Sequence, residues 1–212
     1  MEPSATGRNI STTQPNSYPK DRGKEPRSFY LIYNRTMKIQ EITPIHKGKI
    51  FSLETVNIAM PTGPIKTYER VNHPDSVSIL PLDEDGNIWF VNQYRIGSEG
   101  ELLELPAGVM EGGEDPLSSA QREIREEIGM AARSWQPIGS LYLAPGYCTE
   151  INHIFLAEHL YSAPLSPDED EYLTIVKIPC DEILNHLKKE TIKDCKSIAA
   201  LGLFLLSPRL SV

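Results

Sequence analysis

The sequence predicts an α+β fold in which a few helices pack on the faces of a sheet. Three observations lead there. Short β-rich runs, punctuated by Gly, Pro, Asn and Asp, fill most of the chain from residue 37 to 178. Only three segments read as helix, one central and two at the C-terminal end. No internal repeat is present, which excludes a solenoid or propeller.

The elements follow in order. Residues 1–28 carry only Met1, Ala5, Ile10 and Tyr18 as apolar side chains and show no periodicity, so a flexible tail is expected. Strands begin near Met37. The runs 50–60 and 65–71 flank Pro61-Thr62-Gly63-Pro64, a strong turn signal. The runs 77–82 and 87–94 flank Asp83-Glu84-Asp85-Gly86 and read as a second hairpin. A helix is expected over 116–128. Asp115 can cap it, Pro116 suits its first turn, and Gly129 stops it. Its apolar stripe is Leu117, Ala120, Ile124 and Ile128. Strands resume over 135–143, 152–157 and 172–178, and helices over 180–189 and 194–206 close the chain.

Composition excludes several classes. The chain has 212 residues, enough for one domain with a sizeable core. No apolar run approaches membrane-spanning length, and the N-terminal residues lack the apolar centre of a secretory signal. Cys148, Cys180 and Cys195 show no metal-ligand spacing and read as reduced thiols in a cytoplasmic protein. A net charge of -8 argues against a nucleic-acid partner. It permits an anionic substrate where a metal ion supplies the attraction.

Chemistry concentrates in residues 108–130, GVMEGGEDPLSSAQREIREEIGM. Glu123 and Glu127 are four apart, so their carboxylates stack on one helix face, with Glu126 at its edge. Each like-charge pair costs roughly 0.2–0.5 kcal/mol on an isolated helix. Arg122 offsets part of this by reaching Glu126, and a divalent cation would offset the rest. Oxygen ligands select a hard ion, Mg²⁺ or Mn²⁺. Glycines 108, 112 and 113 allow tight backbone geometry that brings main-chain carbonyls into the ligand set. Taken alone, a Glu/Arg-rich helix is usually just solvated. Nine positions, however, match G-x5-E-x7-R-E-U-x-E-E-x-G-U, where U is a bulky aliphatic residue. A chance match in a chain of this length has odds on the order of 10⁻⁷.

This segment resembles the Nudix box, without departure at the nine positions. The resemblance implies an α/β/α sandwich on a mixed central sheet, preceded here by an N-terminal antiparallel β region at 29–72, with the Nudix domain at 73–212. It implies metal-dependent hydrolysis of a nucleoside diphosphate linked to another group. It makes Glu123, Glu126 and Glu127 metal ligands, joined by the Ala107 carbonyl. Glu114 and Arg122 then orient loop and helix around Gly108 and Gly129.

Features outside the box are similar to the ADP-ribose pyrophosphatase branch. Gln93-Tyr94-Arg95 ends a strand, and Leu103-Glu104-Leu105-Pro106-Ala107 runs into the box. By resemblance Arg95 binds substrate phosphate as a planar fork, and Glu104 sits beside the metal site; a plain surface arginine is the alternative for Arg95. Pro145, sixteen residues after Gly129, lies where ADP-ribose hydrolases carry a proline. Gly146 and Tyr147 there, and Arg70, join the expected substrate contacts, and Glu150 faces the metal or the ribose. The acidic loop 166–171 matches in order the loop that delivers the catalytic base. Glu169 is the first choice, with Glu171, Glu150 and Glu126 as further catalytic candidates. The resemblance covers about 38–206. It also implies a homodimer through the N-terminal strands, with Phe51 or Tyr68 available to stack on adenine. Competing readings are another nucleotide sugar such as GDP-mannose, a dinucleotide such as NADH or a diadenosine polyphosphate, and a non-catalytic nucleotide sensor.

Overall fold

The computed structural model describes residues 36–166 and 172–207. The sequence-predicted tail and the greater part of the acidic loop, Glu169 and Glu171 included, lie outside the described residues. An N-terminal sheet of three antiparallel strands comes first: β1 (Lys38–Lys47), β2 (Ser52–Ala59) and β3 (Ile65–Asn72). The predicted Pro-Thr-Gly-Pro turn joins β2 to β3, closed by Met60 N–H donating to the Pro64 carbonyl at 2.9 Å.

A seven-stranded mixed sheet follows. Its strands are β4 (Ser76–Leu82), β5 (Asn87–Arg95), β6 (Gly100–Glu104), β7 (Ala107–Val109), β8 (Met130–Tyr142), β9 (Ile151–Ser162) and β10 (Leu173–Pro179). The order is β10-β5-β4-β9-β8, with β6 paired to β5 and β7 to β4. Only β4 and β9 run parallel. The hairpin turn between β4 and β5 is organised by Asp83, whose side chain accepts from Asn87 N–H at 2.8 Å and Trp89 Nε1–H at 2.8 Å. Beyond the Leu82–Ile88 pair, β4 and β5 part. β6 and β7 fill the gap, and the chain passing between them carries Ala107 and Gly108 into the middle of the sheet.

Helix α1 (Pro116–Glu127) covers one face, and α2 (Ile183–Lys188) and α3 (Cys195–Leu205) cover the other. The strand period of two sorts the core. Val77, Ile79, Val91, Phe155 and Ala157 meet Ala120, Ile124 and Ile128 of the α1 segment. Their neighbours Leu80, Ile88, Phe90, Ile154 and Leu156 meet Ala200, Leu201 and Phe204 of α3. The result is the α/β/α sandwich with a mixed sheet and an antiparallel N-terminal region that the sequence predicts.

Several boundaries differ from sequence expectation. Strand β8 begins at Met130, not 135, and β9 runs to Ser162, not 157. Residues 130–134 show no alternation, and their extended form comes from pairing with the end of β9. The expected helix over 180–189 splits into a 3-10 turn (Cys180–Glu182) and the short α2. No side chain caps its start, so the orphan N–H groups favour the tighter turn. Strands β6 and β7 were not foreseen, because both are short and owe their form to pairing in the β4–β5 gap.

Ile124 is fully buried between α1 and the sheet. Ile124→Ala is expected to lower unfolding free energy by about 2–5 kcal/mol, read from urea denaturation.

Candidate active site

Asp115 caps α1 by accepting from the N–H groups of Leu117 and Ser118, at 3.0 and 3.1 Å. Gly129, with φ 69°, ends the segment in the left-handed region that favours glycine. The helix therefore starts and stops where its own sequence dictates. Its polar face turns toward β7 and carries Arg122, Glu123, Glu126 and Glu127.

Arg122 is the hub of that face. Its Nε and Nη2 donate to the two oxygens of Glu114, both at 3.0 Å. Its Nη1 donates to Glu123 Oε1 and Glu126 Oε2, both at 2.8 Å. Glu114 also accepts from Glu111 N–H at 3.0 Å, which ties the loop before the helix to the helix itself. Glu127 Oε2 accepts from Ala107 N–H at 3.0 Å. The Glu123 carboxylate lies against Gly108 so closely that a Cβ there would occupy its place. Any other residue at 108 would push Glu123 off β7.

These groups border an open cleft of about 790 Å³. Glu123, Glu126 and Arg122 form one wall. Arg95 and Lys196 line it from β5 and α3, and Ser76, His73 and Glu150 from the opposite side. Lys49 and Ile50, between β1 and β2, reach the same space. Glu150 is held in place: Ser76 Oγ donates to its Oε1 at 2.7 Å, and His73 Nδ1 lies 3.6 Å from its Oε2. Asn152 donates in turn to Ser76 Oγ at 2.9 Å. Arg95 grips both oxygens of the buried Glu104, each at 2.9 Å.

The NUDIX domain family pattern matches residues 72–200. The chain belongs to the Nudix family. It is 33% identical to the ADP-ribose pyrophosphatase of Bacillus subtilis (strain 168), over 74% of this chain and 86% of that one. It is 31% identical to the methanol dehydrogenase activator of Bacillus methanolicus, over 81% of this chain and 92% of the relative. A crystal structure of an ADP compounds hydrolase matches with TM-score 0.72 at 27% identity, covering 80% of this chain and 92% of that one.

The Nudix helix thus brings Glu123 and Glu126 into the cleft together with Ala107, Gly108, Arg122, Arg95 and Glu150. Glu127 and Glu104 stand directly behind it through their bonds to Ala107 and Arg95. Three sequence-predicted contacts stand elsewhere. Arg70 is engaged across the N-terminal sheet with Glu54, Nη2 to Oε2 at 2.7 Å. Gly146 and the exposed Tyr147 do not line the cleft, and the Tyr147 carbonyl instead accepts from Val71 N–H at 2.7 Å. The local reason is pairing: Arg70 lies on β3 opposite Glu54 of β2, and the 144–149 loop bonds to Val71 at the end of β3.

Sequence reasoning missed His73, Ser76 and Lys196. His73 precedes a strand and Lys196 opens a helix, and neither position carries a spacing that announces a site. Among the described residues no three His, Cys, Asp or Glu side chains converge as a preformed metal cage. Arg122 Nη1 stands between Glu123 and Glu126.

Electrostatics follow from these contacts. The hydrogen bonds from Arg122 hold the Glu114 carboxyl at about 2, against an ordinary 4.5. Glu114, ahead of Glu123 and Glu126, raises Arg122 in return. Burial alone would lower Arg95, but the Glu104 carboxylate outweighs it and the net direction is up. Glu114 titrates lower in the folded chain than in the unfolded one, so its contribution is full above pH 4.5 and is lost as pH falls from 4.5 toward about 2. Thermal melts across that window should show a steep loss of stability for the native chain. Glu114→Gln should be less stable at pH 7 and flatter through the acid window.

Proposed function

We propose that this chain hydrolyses the pyrophosphate of ADP-ribose or a related nucleoside diphosphate sugar in a Mg²⁺-dependent reaction. With ADP-ribose the products are AMP and ribose 5-phosphate. The observation that carries the reading is the crowding of Glu123, Glu126 and Glu127 on one face of α1, beside a cleft that also presents Arg95. The Nudix family assignment makes the chain a pyrophosphohydrolase. The relatives named ADP-ribose pyrophosphatase in Bacillus subtilis and, at 36% identity, in Mycobacterium tuberculosis support the ADP-sugar class.

The residues fit a hard divalent cation. The donors are all oxygen, and Gly108 makes room for the Glu123 carboxylate against the backbone. Arg122 contributes a single positive charge to Glu114, Glu123 and Glu126 together, so the face keeps net negative charge. Glu123, Glu126, Glu127 and the Ala107 carbonyl would hold the ion, with Mn²⁺ as a substitute for Mg²⁺. When bound, it neutralises phosphate charge and acidifies a coordinated water.

The chain's own side chains do the rest. Arg122 fixes the angle of the Glu126 carboxylate through one guanidinium nitrogen. Arg95 presents a planar donor set to a phosphate oxygen. The base that takes the proton of the attacking water is Glu169, brought by the acidic loop, with Glu171 behind it. Glu150 is the competitor within the described cleft. Its Oε1 accepts from Ser76 Oγ at 2.7 Å and its Oε2 lies 3.6 Å from His73 Nδ1, which suits a carboxylate held in place to orient ribose hydroxyls.

Phe51 borders a hollow of about 280 Å³ that shares Lys49, Ile50, His73 and Pro74 with the cleft. That position favours it over Tyr68 as the surface on which adenine stacks. The exposed apolar side chains Ile39, Ile42 and Ile45 of β1, with Met37 just before it, suit a homodimer joined through the N-terminal sheet.

A panel of ADP-ribose, GDP-mannose, NADH and diadenosine polyphosphates, scored by kcat/KM with Mg²⁺, tests the assignment. ADP-ribose should lead. A preference for GDP-mannose would move the chain to another nucleotide sugar, and no turnover at all would favour a nucleotide sensor. Glu127→Gln should lower kcat by orders of magnitude with the fold intact by circular dichroism. Turnover near the native rate would remove the metal assignment. Glu169→Gln should cost roughly 10²–10⁴-fold in kcat, the usual worth of a general base, with KM little changed. Loss in Glu150→Gln alone would place the base on the 144–150 loop instead.

A further inference from the structure

A second cluster of charges adjoins the cleft, and the reaction above uses only its Arg95. Asp194 caps α3, and Lys196 stands on its first turn. Lys196 Nζ lies 2.7 Å from Asp194 Oδ1 and 3.6 Å from Glu104 Oε2. Glu104 is 1% exposed. An ionised carboxylate that deep is costly without a cation beside it. Arg95 serves it now, with Nε and Nη2 both engaged.

Arg95 and Lys196 both also line the cleft. Arg95 holds Glu104 through its Nε–Nη2 edge, so turning that edge onto a phosphate releases Glu104. That release would strand a buried negative charge unless a second cation stepped in. Lys196 is placed for it. At 3.6 Å it is beyond hydrogen-bond range of Glu104 but within reach of a small rotation of its flexible stem. Asp194 tolerates the loss, because its Oδ2 also accepts from Ser197 N–H at 2.8 Å and Ser197 Oγ at 2.7 Å. Every buried carboxylate in the cluster keeps a donor before and after the exchange. Ser197 Oγ in turn accepts from Leu105 N–H at 2.8 Å, so α3 and the segment entering β7 hold their spacing while side chains trade partners.

We propose that Lys196 is a positioning residue for substrate capture. It closes on Glu104 as Arg95 turns its guanidinium onto the diphosphate of the substrate. The proposal rests on the reading of the chain as a nucleoside diphosphate hydrolase.

Steady-state kinetics with ADP-ribose and Mg²⁺ test it. Lys196→Gln keeps a donor for Asp194 but removes the charge. It should raise KM about 10–100-fold with kcat changed less than about threefold, the signature of lost binding shared by ground and transition states. Lys196→Arg should keep KM within about fivefold of native, since the charge remains. In a Glu104→Gln background no buried carboxylate awaits a cation. Adding Lys196→Gln there should leave KM within about threefold of the Glu104→Gln parent.

A native KM in Lys196→Gln, or a further large rise in KM on adding it to Glu104→Gln, would overturn the exchange. A simple packing role predicts the second result, together with a fall in melting temperature. If Lys196→Gln alone fails to fold, the comparison of the Glu104→Gln parent with the charge-balanced double variant decides by itself. A native chain that turns over no nucleoside diphosphate brings down the functional reading and this proposal with it. An active native chain with an indifferent Lys196 brings down only the exchange.

Discussion

Four carboxylates and one guanidinium set the terms for the rest of this site. Glu123, Glu126 and Glu127 share a helix face, and Glu114 closes in from the preceding loop. Arg122 binds three of the four directly, and Glu127 turns inward to the Ala107 N–H. Like charges at this spacing repel, so the arrangement stands only because each carboxylate has a donor and the helix is pinned by other means. The pins are the Asp115 cap, the glycine stop and the buried Ile124 stripe. Stability supplied by the apolar side of α1 holds together a polar side that disfavours folding by itself.

The sheet solves the matching problem of access. A seven-stranded sheet covered by helices on both faces leaves no natural opening. The parting of β4 and β5 makes one, and two short strands fill it without closing it. Because β7 pairs with β4, Gly108 is held opposite Val77 and against the Glu123 carboxylate, and the carboxylate face of α1 borders the same cleft as Glu150. Ser76 and Asn152 sit opposite each other on the parallel β4–β9 pair, which places the polar chain that reaches Glu150.

Charge economy links the two faces. Glu104 ends β6 on the same splayed edge, and its partner Arg95 ends β5 opposite Gly100. Lys196 and Asp194 arrive from α3, on the other side of the sheet. Arg95, Lys196, Glu104 and Asp194 sum to zero charge, so the cluster is tolerable when buried, and it allows partners to change without a large electrostatic cost. The net negative Nudix face and this neutral cluster thus stand side by side, one suited to a cation and the other to handling an anion.

The sequence determined what depends on neighbours along the chain. The cap, proline, stripe and glycine around α1 are local signals, so its bounds and its carboxylate face were legible, as were the two hairpins with their turn residues. The box spacing carried the family because it encodes a single helix and its loop. Only the tertiary structure decided the rest. Strands β6 and β7 and the early start of β8 exist through pairing, which no local pattern records. Arg70 and Tyr147 are expected substrate contacts in sequence, yet Glu54 of β2 engages Arg70 and the end of β3 engages the Tyr147 backbone. Lys196 carries no sequence signal of a site. It joins the site because packing of α3 on the sheet brings residue 196 beside residues 95 and 104, and a contact across some ninety residues leaves no trace in local composition.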